Sequence, residues 1–254
     1  KLDLTDSNLL EHTILLKRPK VIVHTAAYTD VDGCEARKDY AWKVNVEATR
    51  SIVRVARVIK AYLVYISTDY VFDGEKGVYK ESDLPNPINY YGLTKLLGEE
   101  IVKSSDLLYT IVRTSAIYGL GPGKLSFATY IAQKLMANEE VKVVVDQFVS
   151  PTLNTLLAKA IAEVIELKPL GILHIAGERI SRYDFALQVA RILELPEKLI
   201  KRATMSEMKW IARRPRDSSL DVSKAKAIIR TKSVFSLEDS LRTFREEFEA
   251  QNTI

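Results

Sequence analysis

Four short runs of the chain are almost continuously apolar: 21–27, 62–68, 109–115 and 172–177. Val21-Ile22-Val23 and Leu63-Val64-Tyr65-Ile66 lack the alternation of a strand with one wet face, so the runs predict strands covered on both sides. Apolar positions at helical spacing follow them and predict helices over 41–60, 90–103, 128–136, 153–167 and 183–193, with a charged last helix over 237–250. A fifth candidate strand, 141–145, follows the third helix. Near the start, Thr5 or Asp6 is placed to cap an earlier helix. This alternation predicts an α/β fold with a doubly wound, Rossmann-like parallel sheet. From about Gly177 it fades, which predicts a smaller, mostly helical region.

Composition narrows the class. At 254 residues, 47% apolar and 28% charged, the chain has the balance of a globular protein with a real core. No apolar run is long enough to cross a bilayer, and no basic-then-apolar leader is visible, so neither a membrane nor secretion is expected. The formal charge of +4 is spread rather than clustered, which argues against nucleic acid as a partner. The single Cys34 excludes a disulfide framework and fits a reducing cytoplasm. Cys34 and three scattered histidines cannot make a metal site of ordinary spacing, so no metal is expected.

Open parallel sheets bind nucleotides beyond the carboxyl ends of their strands, with the diphosphate on a Gly-rich turn at a helix N-terminus. No such turn follows a strand here. The one Gly-dense stretch, Gly119 to Lys124, lacks the spacing of a phosphate loop and has Leu125 where Ser or Thr should be, so it reads as a flexible loop. The run at 21–27 reads as a central strand that needs a neighbour on each side. The expectation is therefore that a strand, Gly-rich turn, helix and strand, roughly 30 residues long, precede Lys1.

The candidate chemistry lies between. Tyr91 and Lys95 stand four apart at the start of a helix, hence on one face. A nearby cation favours the ionised phenol, which makes Tyr91 a usable acid–base group. On its own that spacing also describes an ordinary surface pair. Ser67-Thr68-Asp69 adds two hydroxyls and a carboxylate at a carboxyl strand end, where Thr68 could bond the same substrate oxygen as Tyr91; a turn or helix cap is the plainer reading. Arg213-Arg214-Pro215-Arg216 is either a solvated turn or a phosphate clamp.

With these residues in view the chain resembles the extended short-chain dehydrogenase/reductases, and within them the dTDP-4-dehydrorhamnose reductase family. The matching segments include Asp3-Leu4-Thr5-Asp6, Ala26-Ala27-Tyr28-Thr29-Asp30, Val44-Asn45, Ser67-Thr68-Asp69-Tyr70-Val71-Phe72-Asp73-Gly74, Tyr91-Gly92-Leu93-Thr94-Lys95, Arg113-Thr114-Ser115, Asp146 to Thr152 and Arg213-Arg214-Pro215, in family order. The resemblance implies Tyr91 as general acid, Lys95 on the nicotinamide ribose, Thr68 tuning the proton transfer and Asp69 touching the sugar. It implies Asp3 and Leu4 at the adenine, Ala26, Ala27 and Tyr28 under the cofactor, Asn45 in a supporting network, and Arg213 or Arg214 on the substrate. The implied cofactor is NADP(H) or NAD(H), and the implied partner a nucleotide sugar, with a homodimer as an option. The expected division is a dinucleotide-binding core over 1–176, to whose substrate side 120–149 contribute, and a substrate-binding region over 177–254.

Two departures from the family pattern stand out: the Gly-rich turn is not in the sequence, and Ala116 stands where bacterial reductases have Trp, which opens the identity of the sugar. The implied reaction is reduction of the C4 carbonyl of a nucleotide-linked 4-keto-6-deoxysugar. Two alternatives share this fold. A nucleotide-sugar 4,6-dehydratase needs Asp-Glu after the Thr, and Tyr70 stands in place of the Glu. A regulatory β subunit of a methionine adenosyltransferase would share the fold and act by binding a partner.

Overall fold

The computed structural model describes residues 2–123 and 125–252; Lys1, Lys124 and the last two residues lie outside them. In chain order the elements begin with α1 (Ser7–Lys17), β1 (Val21–His24), α2 (Val31–Ala36), α3 (Lys38–Trp42), a π-helical turn (Lys43–Glu47), α4 (Ala48–Ile59) and β2 (Tyr62–Thr68). Then come α5 (Tyr90–Lys103), β3 (Tyr109–Thr114), β4 (Ile117–Tyr118), α6 (Phe127–Met136), β5 (Val141–Val144), β6 (Phe148–Val149), β7 (Thr152–Leu153) and α7 (Asn154–Leu167). The chain continues with β8 (Gly171–His174), β9 (Ile180–Ser181), α8 (Arg182–Ile192), β10 (Ile200–Ala203), α9 (Ser223–Ile228) and α10 (Leu237–Asn252).

The four apolar runs form one parallel sheet in the order β1-β2-β3-β8. Their lack of alternation has the expected cause. Leu63, Tyr65 and Ile111 face a layer of α1, α4 and α5 through Leu10, Ile52, Val53 and Val102. Tyr62, Val64, Val112 and Leu173 face the opposite layer, where Leu135, Leu157, Val164, Phe185 and Phe244 of α6, α7, α8 and α10 pack. Among the described residues the outer edge of β1 carries no strand partner.

The fifth strand departs from expectation. β5 pairs in parallel with β10, away from the main sheet. Its register, Val141 to Ile200 and Val144 to Ala203, joins the segment after β3 to the C-terminal region. A four-residue strand with one exposed lysine carries no mark of which sheet it joins. The helix expected over 41–60 is a relay of α3, the π turn and α4, because the extra residue of the π turn brings Asn45 inward. Asp6, not Thr5, caps α1 by accepting from the Leu9 amide. Among the described residues no helix is long and apolar enough to cross a membrane.

Candidate active site

The carboxyl ends of β1, β2 and β3 open into one cavity of about 360 Å³. Parallel pairing sets its floor, because Thr68 and Thr114 are register partners and both residues line it. Tyr91 and Lys95 enter from the first turns of α5, whose start is fixed by Asn89 accepting from the Gly92 amide at 2.8 Å. Helix spacing and strand register thus converge on one space.

The Thr68 hydroxyl beside Tyr91 favours the ionised phenol, yet burial outweighs it and pushes the phenol above its ordinary range. The Tyr91 ring also meets the Tyr70 ring edge to face at 6.0 Å. Lys95 is buried, donates from Nζ to the Ile66 carbonyl at 2.7 Å and lies 4.1 Å from the Tyr65 ring centroid. Burial lowers its ammonium to about 7, against the pull of Glu99. Burial thus favours the neutral phenol, the form a general acid needs, beside a lysine whose ammonium is brought down to about 7.

Beneath these two lies a dry ion pair. Arg113 binds Glu99 through two bonds of 2.9 and 2.7 Å, with the side chains 1% and 0% exposed. Ser67 donates to the same carboxylate at 2.5 Å. Glu99 follows Lys95 by one helical turn, so the pair ties α5 to β2 and β3 directly under the cavity.

The remaining expected residues divide. Asp69 lines the cavity, but its carboxylate already accepts from Thr68, Ser115 and Ser218 at 3.0, 2.8 and 2.5 Å, and burial raises it. Asn45 accepts from the Tyr28 amide at 2.7 Å and donates to the Tyr28 carbonyl and the Thr94 hydroxyl, tying the loop after β1 to α5. Ala27 lines the cavity, whereas Ala26 is exposed and Tyr28 lies beyond the lining. Exposed Asp3 bonds to Thr5, and half-buried Leu4 packs on the α1–α4 layer, so neither reaches the cavity. Ala116 lines it with φ +42°, a strained backbone for a residue with a Cβ.

A second cavity of about 300 Å³ shares Tyr70 and Arg182 with the first. Arg214 lines it, ion-paired to Asp32 at 3.0 Å and 5.4 Å from the Trp210 ring centroid. Arg213 is exposed and contributes its backbone carbonyl to Asn89. A larger cavity of about 500 Å³ beside Gly119 meets the first at Thr29 and Ile117. Among the described residues it carries no carboxylate, histidine, lysine or arginine, so size does not make it the chemical centre.

Three participants escaped the reading of the sequence. Glu99 had a usable signal, since it continues the Tyr91–Lys95 face by one turn. Thr114 had the same signal as Thr68, a hydroxyl at a carboxyl strand end inside a matching segment, whereas Arg182 had none, because only the packing of α8 brings it here.

A nicotinamide ribose fits this geometry: Ala27 offers only a methyl wall, and the Tyr91 hydroxyl and Lys95 ammonium face the same space. A parallel sheet with Tyr91, Lys95 and Thr68 at its carboxyl edge defines an extended short-chain dehydrogenase/reductase. Comparison with known proteins gives the family: the RmlD substrate binding domain matches residues 1–248, and the chain belongs to that family. A probable low-salt glycan biosynthesis reductase, Agl14 of Haloferax volcanii, is 31% identical over 98% of this chain and 84% of its own length. Methionine adenosyltransferase 2 subunit beta of Bos taurus is 34% identical over 90% of this chain and 70% of its own. Among solved structures, a hypothetical dTDP-4-dehydrorhamnose reductase from Sulfolobus tokodaii is 48% identical with TM-score 0.87, covering 95% of this chain and 85% of that one. The Bacillus anthracis dTDP-4-dehydrorhamnose reductase in complex with NADP is 32% identical with TM-score 0.90, covering 97% and 87%.

Proposed function

We propose that the protein reduces the C4 carbonyl of a nucleotide-linked 4-keto-6-deoxysugar with NADPH or NADH. The observation that carries this reading is the meeting of Tyr91, Lys95 one turn further on, and Thr68 in one cavity at the strand ends. The cofactor supplies the hydride when bound. The chain's own residues handle the proton. Tyr91 gives its hydroxyl proton to the oxygen that becomes the alkoxide, Thr68 orients that hydroxyl, and the Lys95 ammonium stabilises the phenolate left behind. Residues 1–176 act as the cofactor core and 177–254 as the substrate region, with 120–149 on the substrate side; the β5–β10 pairing supports that division. Asp3 and Leu4 take the adenine end, and Ala26, Ala27 and Tyr28 run beneath the cofactor.

The test is Tyr91→Phe in the intact protein, followed by nucleotide-sugar-dependent loss of reduced nicotinamide. Turnover should fall by about 10² or more, the scale of a lost general acid, with cofactor affinity unchanged. Turnover within a few-fold of wild type overturns the mechanism.

The bovine relative favours a second reading, a regulatory subunit that binds a methionine adenosyltransferase. A stable complex with such a synthetase, together with no nucleotide-sugar-dependent oxidation, would select it.

A further inference from the structure

Arg182 opens α8, and its amide is anchored to the Gln147 carbonyl at 2.9 Å. Its guanidinium makes no hydrogen bond or ion pair with any described residue; it lies over the face of Phe127 at 5.0 Å and is near enough to Asp69 to favour that carboxylate. The other arginine of this region, Arg214, has its charge met directly by Asp32. Arg182 is therefore a cation whose N–H donors are unused, and it stands at the seam between the two cavities, lining both.

The cavities differ in chemistry. On the Tyr91 side the walls present hydroxyls. They belong to Thr68 and Tyr91, groups that pair with the oxygens of a sugar. On the other side Trp210, Phe127, Tyr130 and Val143 make an aromatic and apolar lining. A polyol-binding space, a cation with unused donors and an aromatic slot in sequence match a ligand made of a sugar, an anion and a base.

We propose that Arg182 fixes the diphosphate of the substrate at this seam, with the sugar on the reacting side and the base in the Trp210 cavity. A planar fork suits phosphate oxygens through two bonds at once. This assignment rests on the nucleotide-sugar reading above and moves the phosphate contact from Arg213 and Arg214, of which one is exposed and the other ion-paired.

The test measures calorimetric binding of thymidine diphosphate, uridine diphosphate, the matching nucleosides and NADPH to the intact protein, and KM and kcat for a 4-keto nucleotide sugar. Arg182→Ala should weaken the better-bound diphosphate by about 10-fold or more, a loss of about 1.4 kcal/mol or more, and raise KM in step. The matching nucleoside and NADPH should bind as before, and Arg182→Lys should recover part of the loss. A diphosphate affinity insensitive to Arg182→Ala, or an equal loss for the nucleoside, overturns the assignment and points to packing on Phe127. Absence of diphosphate binding by the wild type overturns it as well. Arg182-dependent diphosphate binding without any sugar reduction supports Arg182 and overturns the reductase reading instead.

Discussion

Replacing Glu99 by Gln should be among the most damaging single changes available in this chain. The carboxylate and its Arg113 partner are 0% and 1% exposed, so water cannot take over from a lost partner. In the variant, the amide oxygen can still accept one guanidinium N–H, but the balancing charge and the second acceptor are gone, and what else meets Arg113 is a 3.5 Å approach from Nη1 to His174 and the face of Phe72 at 5.0 Å. Removing one partner of a buried pair costs about 3–5 kcal/mol, because the other charge stays desolvated. Against a total stability of roughly 5–15 kcal/mol, that is a large share. At about 2–4 °C per kcal/mol the melting point should fall by roughly 6–20 °C. Urea unfolding should show a lower midpoint with an unchanged slope. The double variant Glu99→Leu/Arg113→Met should lose much less than the summed single variants, since it leaves no charge behind. The change should also reach the site: Glu99 raises Lys95, so without it the ammonium should titrate further below 7. A single-variant loss under about 1 kcal/mol, or additive single and double variants, would refute the argument from desolvation.

Other consequences follow from neighbouring geometry. With Lys95 near 7 and needed as a cation, kcat/KM should decline as pH rises past about 7, and Lys95→Arg should remove that limb; a flat profile from 6 to 9 would count against the role. Gly92→Ala would put a methyl 2.1 Å from the Tyr70 carbonyl oxygen, so we expect Tyr91 to shift, stability to drop by about 1–3 kcal/mol and turnover to fall; wild-type melting and rate would contradict this. Burial, aided by Lys95 and Arg113 respectively, holds His24 and His174 near 3, so both stay neutral in the fold while the unfolded chain takes up protons below about 6.5. Stability is then fully present above 6.5 and should be lost as pH falls toward 3, by up to about 1.4 kcal/mol per pH unit for each histidine. His174→Gln should flatten that slope in urea midpoints measured between pH 7 and 4, and an unchanged slope would exclude its part.

The sequence by itself determined the strands and helices of the core. Unbroken apolar runs can only be satisfied between two covering layers, and the helical periods that follow supply those layers. It also determined the Tyr91–Lys95 pair and the hydroxyl-rich end at Thr68, because helix spacing and strand ends are local properties. Tertiary structure decided what those groups can do. Ser115, Ser218 and Thr68 converge on Asp69 from distant parts of the chain and occupy a carboxylate that looked free. Burial raises the Tyr91 phenol, and solvent exclusion is a property of packing rather than of residue type. The pairing of β5 with β10 and the unused donors of Arg182 beside an ion-paired Arg214 were equally illegible. A short strand and a lone arginine carry no mark of their partners, since those contacts join residues far apart in the chain and exist only once the sheet and α8 are packed.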